Sequence, residues 1–404
     1  MPATSVKTFY SLNVGAPTIS GLAGSLIGVL DACLKDGYGL ITLSSLVVAS
    51  GVATATTASP HGFLLNQVAT LAGATPSGLN GDFRLTVVSA TTFKFACPGV
   101  TDGAASGTIT AKITPLGWTK PFSGTNLAAY KPSDPLATGM YLRVDDTNNR
   151  GTGSAAVWGC EVMTDINSYT GAFPTAVQQV GGLWWTRATD NTSTARAWII
   201  FGDERCFYLY LVPYNSAPTG GVLSFFGDIL QQGSTDQYHC VIAGGPGTFY
   251  GSGQVTPSCL GASASTGGSG TGIYLARSWT QIGGAVGCPR GASVAAGSTV
   301  YSMGNGGYTS FPLSYWPNPA DNAMMILPVL AYETSAGLRG AFPGLYHCPQ
   351  SATGAYTSLN HLDQVPATDV APGKLVLTLK VGCPALISSY FGQCFLDPIG
   401  PWRS

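Results

Sequence analysis

The chain has 404 residues, of which only 9% are charged, and its 18 Lys+Arg against 19 Asp+Glu leave a formal net charge of −1. An ordinary soluble domain is about 25% charged. With no excess of either sign and no basic run, the chain lacks the means for nucleic-acid binding by phosphate neutralisation, or for a polybasic membrane patch. Net charge near zero promotes association, so composition points to a subunit packed against neighbours in a larger assembly.

Hydrophobic residues make up 45% of the chain, enough for real cores, and 54 Gly and 26 Pro suit many short strands joined by turns. Mean hydropathy is +0.22. The most apolar stretch, Ile19 to Leu34, contains Ser20, Ser25 and Asp31. It falls short of the roughly 20 apolar residues that a bilayer span needs, so no membrane span is expected. The first residues, Met1-Pro2-Ala3-Thr4-Ser5-Val6-Lys7, lack the basic-then-apolar plan of a secretion signal. Synthesis in a cytoplasm is the expectation, with the ten scattered cysteines as reduced, buried thiols.

In chain order, the first element is a helix over 18–36. Ile19, Leu22, Leu26, Val29, Leu30, Cys33 and Leu34 fall at helical spacing. Ser20 is the candidate N-cap and Asp36-Gly37 the stop. From Leu40 to Ile113 runs a Thr/Ala/Val/Ser-rich block. Its β-branched and aromatic runs alternate with turn signals: Pro60-His61-Gly62, Gly73-Ala74-Thr75-Pro76 and Asn80-Gly81. That spacing predicts a small β-sandwich. Beyond Gly117 the pattern stays β. Tyr141–Asp145 and Thr194–Ile200 alternate, and Cys206–Val212 is apolar enough for a central strand. Val222–Leu230, Met324–Ala331, Leu375–Leu379 and Phe391–Leu396 complete the set, with Pro328 assigning Met324–Ala331 to a sheet edge. Residues 262–272 read as a Gly/Ser/Thr loop.

Ile27 to Tyr38, Gly117-Trp118-Thr119-Lys120-Pro121-Phe122-Ser123-Gly124-Thr125-Asn126, Tyr141-Leu142-Arg143-Val144-Asp145-Asp146, Phe225-Phe226-Gly227-Asp228, Arg339 to His347, and the ending Gly400-Pro401-Trp402-Arg403 stand out as a set. Together they resemble a family of tailed-phage virion proteins. In that family the Asp-Gly-Tyr-Gly and Gly-Trp-Thr segments lie close in sequence, whereas here roughly residues 40–115 separate them. The separating block itself is similar to the β modules found within phage tail and surface proteins. The resemblance therefore implies a mainly β chain, with a β-sheet body of 1–39 plus 116–404 carrying one N-terminal helix. An Ig-like β-sandwich of 40–115 is inserted, entered at Gly37-Tyr38-Gly39 and left at Pro115-Leu116-Gly117. It further implies a non-enzymatic structural component of a virion, assembled in the host cytoplasm. Its partners would be other virion proteins of the tail, neck, baseplate or capsid, together with copies of itself in a symmetric assembly.

Two alternatives stay open: a capsid decoration or head-fibre protein, and a receptor-binding or glycan-cleaving tail protein that contacts a host surface glycan. The second rests on Asp145, Asp146, Glu161, Asp165, Asp203, Glu204 and Asp228. Paired carboxylates hydrolyse glycosidic bonds, and Trp158, Trp184, Trp185 and Trp198 are available to stack on sugars. The competing reading has these carboxylates capping turns. His239-Cys240 and His347-Cys348 hold the residue types of a zinc site. Adjacent strand residues point to opposite faces, however, so no metal or cofactor is expected. Gly267 and Gly272 have phosphate-loop spacing, but Ile273 stands where the Lys belongs. Asn191-Thr192-Ser193 has the form of a glycosylation sequon. Gly182-Leu183-Trp184-Trp185 reads equally as an interface anchor or as core.

Overall fold

In a computed structural model, the structure describes residues 4–147, 153–214, 221–245, 260, 272–288, 316–333, 336–348, 350, 358–367, 373–381 and 393–403. Short strands between 290 and 309, and residues 382, 391 and 392, are described by backbone alone. The chain is mainly β, with one short helical segment and several antiparallel sheets.

A seven-stranded antiparallel sheet forms the middle of the body. Its order is Lys7–Tyr10, Trp198–Gly202, Cys206–Leu211, Val222–Asp228, Cys240–Ala243, Ile273–Leu275 and Val286–Gly287. Cys206–Leu211 is buried at every residue, because the sheet is covered on both faces. Phe207, Leu209 and Leu211 enter one hydrophobic cluster, while Cys206, Tyr208 and Tyr210 enter another. Successive strand residues point to opposite faces, and a strand buried on both sides reads as a continuous apolar run.

The first cluster joins this sheet to a second one, a meander of Thr119–Gly124, Leu127–Lys131, Tyr141–Asp145, Ser154–Met163 and Tyr169–Phe173. Leu183–Thr186 pairs with the first half of Ser154–Met163. The second cluster joins the middle sheet to a third, of order Arg290–Gly291, Leu327–Glu333, Gly337–His347, Phe391–Leu396, Lys374–Gly382 and Gln364–Ala367. The body is thus three layers of sheet. The closing Trp-Arg is part of its core: Trp402 packs edge-on against Tyr208 at 5.7 Å, and Arg403 Nε donates to Asp203 Oδ2 at 2.9 Å.

Strands between 38 and 113 pair only with one another. The long strand Tyr38–Ala49 pairs with Thr110–Ile113 along its first part and with Val52–Thr57 along its second. It therefore carries the chain from one half-sheet to the other, and Phe83 meets Phe95 between them at 4.3 Å. Ser50 and Gly51, both at positive φ, form the two-residue hairpin that joins Ala49 to Val52. The ends of this module lie side by side, with Tyr38 opposite Ile113. Leu116 N donates to Cys33 O, and Gly117 N to Leu34 O. Gly37 sits at φ +73°, where a Cβ would lie 2.5 Å from Ile113 O, so the entry crossing requires glycine.

Several sequence expectations need correction. The helix over 18–36 is shorter, a Ser25–Leu30 α-helix continued by a π-helix over Asp31–Asp36. Ser20 does not cap it. Instead Asp146, 120 residues away, accepts from Leu26 N at 3.0 Å and Ile27 N at 3.5 Å. The Asn80-Gly81 turn signal falls in the connection between Val68–Ala72 and Gly81–Arg84, where the Asn80 amide clasps both Ala74 N and Ala74 O at 2.8 Å. Pro328 lies in an interior strand, since Leu327–Glu333 pairs on both sides. The short neighbour Arg290–Gly291 reaches only Ala331 and Leu330, so the missing N–H of Pro328 breaks no bond on that side. Strand structure also begins at Trp198 rather than Thr194.

Candidate functional site

The seven acidic residues singled out in the sequence do not converge on one open pair. Asp145 Oδ1 accepts from Thr147 N at 3.2 Å, and Asp165 Oδ1 accepts from Asn167 N at 2.7 Å and Ser168 N at 3.0 Å. Both are turn-capping carboxylates. Asp146 is fully buried, 2.9 Å from Arg187 Nε. Burial pushes its carboxyl up to about 6, against the pull of Arg187 and the helix amides. Asp203 Oδ1 holds the turn at Arg205 N and Cys206 N, while Oδ2 receives Arg403. Asp228 accepts from Thr138 N at 2.8 Å and Thr138 Oγ1 at 2.6 Å. Partial burial raises the Glu204 carboxyl, with Lys7 opposing.

The aromatics divide likewise. Trp185 and Trp198 are core residues whose indole N–H groups donate to Ala243 O and Pro17 O. Trp158 is half-buried under the guanidinium of Arg143, 4.8 Å from its ring. In the Gly182–Trp185 segment, therefore, Trp185 is core, and Trp184 N bonds to Gly245 O at the sheet margin. His239 lies 3.8 Å from Asp228 in the middle layer, whereas His347 is in the third sheet, opposite Cys394. Among the described residues no three His, Cys, Asp or Glu side chains are grouped to hold a metal ion. The eight described cysteines are thiols, seven of them buried. The Gly267–Gly272 loop lies outside the described residues, apart from residue 272. Thr192 of the sequon bonds to Asp190 in an exposed turn.

Where the three layers meet, on either side of the 232–239 loop, lie two adjoining clefts of about 530 and 310 Å³. Asp236 lines both. Two arginines brace their walls, Arg339 from within the smaller cleft and Arg277 from behind Glu161 and Tyr238. Arg277, just after Ile273–Leu275, grips Glu161 of the second sheet with both Nε (2.6 Å) and Nη2 (2.5 Å). The same guanidinium lies 4.2 Å from the Tyr238 ring centroid. Arg339, on Gly337–His347, is nearly fully buried. Its Nη2 and Nε donate to Asp236 Oδ2 at 2.7 and 3.0 Å, and its Nη1 to Glu333 Oε2 at 2.5 Å. Nη1 also reaches Arg277 O at 3.1 Å, so the two arginines form one network. A paired guanidinium is planar and holds its partners in a fixed geometry, which makes the cleft walls stiff. Glu333 Oε2 additionally accepts from Trp279 N at 2.8 Å. This fixes a tryptophan whose side chain stays 61% exposed.

Of this constellation the sequence analysis picked out only Glu161 as a candidate site residue, and Arg339 only as the first residue of a resembling segment. Arg277, Arg339, Asp236, Glu333 and Trp279 are scattered over about a hundred residues and share no motif. The available signal was their scarcity. In a chain with 18 Lys+Arg, each arginine is worth asking for its carboxylate.

No protein-family model matches the chain, and no curated protein matches it at a significant level.

Proposed function

We propose that the chain is a structural subunit of a tailed-phage virion that works through protein–protein interfaces, in the tail, neck or baseplate region. One observation carries this reading: every arginine with a described side chain is turned to a partner within the fold while apolar side chains are left outside. Of the eight arginines whose side chains are described, Arg187, Arg196, Arg205, Arg277, Arg339 and Arg403 form ion pairs. Arg84 and Arg143 donate to backbone carbonyls. Meanwhile Leu12, Leu136, Val177, Val180 and Ile282 are each more than 70% exposed. Scattered apolar residues are ordinary on any surface. A surface with so few free charges between them favours association over free diffusion.

Six of the seven carboxylates behind the glycan-cleaving alternative are engaged within the fold, which favours the structural reading. Asp145, Asp146, Asp165, Asp203 and Asp228 each hold backbone amides, and Glu161 is gripped by Arg277. Cryo-electron microscopy of the particle that carries the chain tests the proposal. Density at the tail or its collar, buried against other subunits, is expected. Density on the head lattice would select the decoration role instead. A particle without the chain, together with a chain that sediments as a monomer, would overturn the structural reading.

A further inference from the structure

The smaller cleft has a chemistry that the interface reading does not use. Trp279 is the one large aromatic residue among the described residues that is more than half exposed, and the backbone that carries it is held by hydrogen bonds on both sides. Its own N–H is bonded to Glu333. Two residues before it, Arg277 is gripped by Glu161. Two residues after it, the Gln281 carbonyl accepts from Arg277 Nη1 at 3.1 Å, and Gln281 Nε2 donates to Thr235 O at 3.0 Å. The ring is therefore presented by a fixed turn. Around it stand Gln232, Gln281, Asp236, Leu338 and Arg339.

We propose that this cleft binds a neutral sugar ring, one residue of a polysaccharide or glycan chain. An indole face carries partial negative charge, which attracts the C–H bonds along one face of a pyranose. Planar amides and a carboxylate at the rim match the paired hydroxyls on its edge. A volume of about 310 Å³ lies at the small end of ligand clefts. Anionic ligands are disfavoured, because both guanidinium groups are already committed to Glu161, Asp236 and Glu333. The proposal goes beyond the structural role and does not depend on it, since a subunit can assemble with or without a sugar site.

Saturation-transfer NMR on the purified chain, with maltohexaose, cellohexaose and chitohexaose each at about 10 mM, tests it; a site with a dissociation constant of about 1 mM is then mostly filled. At least one of the three is expected to bind. Trp279→Ala should weaken that binding about tenfold or more, and Trp279→Phe should retain most of it. Leu12→Ala, the truncation of a still more exposed apolar side chain elsewhere, should leave it unchanged. The proposal is overturned if none of the three binds, or if Trp279→Ala binds as well as the parent chain. Circular dichroism of each variant separates loss of the site from loss of the fold.

Discussion

Two junctions hold this molecule together, and they are built from opposite chemistry. Where the module of residues 38–113 meets the body, the contacts are almost all neutral. Asn13 Oδ1 accepts from Tyr10 N, Tyr38 OH and Gln67 Nε2, and Asn13 Nδ2 donates to Gly62 O and Gln67 Oε1. Gln67 Nε2 reaches Thr8 O, and Gln67 Oε1 takes the Leu64 N–H. Of the cations there, Arg84 donates to the carbonyls of Asn66, Val6 and Ile399 and Lys112 to Asp36 O, and Lys7, 3.9 Å from Asp82, makes the one long ion pair across the junction among the described residues. Where the third sheet meets the clefts, the contacts are ion pairs around Arg277 and Arg339. A neutral amide cluster costs little to bury once its bonds are made, and it is indifferent to pH and salt. A buried ion pair is retained only while every member is present. One junction should therefore behave as a fixed joint and the other as one that conditions can loosen.

The largest expected effect comes from breaking the charged junction at its centre. Arg339→Met removes the partner of Glu333, whose side chain is 3% exposed, and of Asp236. An uncompensated buried carboxylate costs about 3–5 kcal/mol, read as a fall in the urea midpoint at pH 7. The double variant Arg339→Met with Glu333→Gln should recover part of that loss. If it is no better than the single variant, the pair is not coupled and the comparison fails. The neutral junction should lose less. Gln67→Ala removes the bonds that Gln67 makes to Thr8 O, Leu64 N and the Asn13 amide, an expected loss of about 2–3 kcal/mol. Its size should be the same in low and high salt, whereas that of Arg339→Met should depend on salt and pH.

A third effect is pH itself, and it belongs to neither junction. His361 stacks on Tyr210 at 4.9 Å. Burial, with the charge of Lys380 beside it, lowers its pKa to about 4. The unfolded chain takes up that proton first, so the contribution of His361 is present above about pH 6.5 and is lost as pH falls toward 4. Asp146 works the other way. Its carboxyl is raised to about 6, so its contribution is present below about pH 4 and is lost as pH rises through 6. Between pH 4 and 6 the two oppose each other. His361→Gln should therefore gain stability over the parent chain, by up to about 3 kcal/mol, on going from pH 7 to 4. A constant difference across that range would show that His361 does not titrate in the fold.

The strands were legible in the sequence where a local pattern decides them. Cys206–Leu211 was readable as central because every residue is apolar, and Phe391–Leu396 was placed to the residue. The helix was misjudged at its start, because the periodicity begins at Ile19, before the chain enters the helix at Ser25. Its true start is set by Asp146, which no helix-cap rule looks for 120 residues away. The seven acidic residues were found by clustering in sequence, and the fold scatters them. The cleft was missed for the converse reason, since Glu161, Asp236, Arg277, Glu333 and Arg339 come together only through three layers of sheet. A strand pattern has a period, and an ion-pair network between layers has none.

The smallest expected effect sharpens what distinguishes the two junctions. Lys35 and Asp36 lie next to each other at the end of the π-helix, and their side chains are 41% and 52% exposed. The Asp36 hydrogen bond is what raises the Lys35 pKa, yet water and salt screen both groups in either state. An exposed pair also gives up side-chain freedom to hold one geometry. Lys35→Ala should leave the urea midpoint within error of the parent chain at any salt concentration. If it instead destabilised as Arg339→Met does, charge alone would account for the difference between the junctions. If it is silent, burial makes that difference, because the same Lys-or-Arg to carboxylate chemistry counts only where water is kept out.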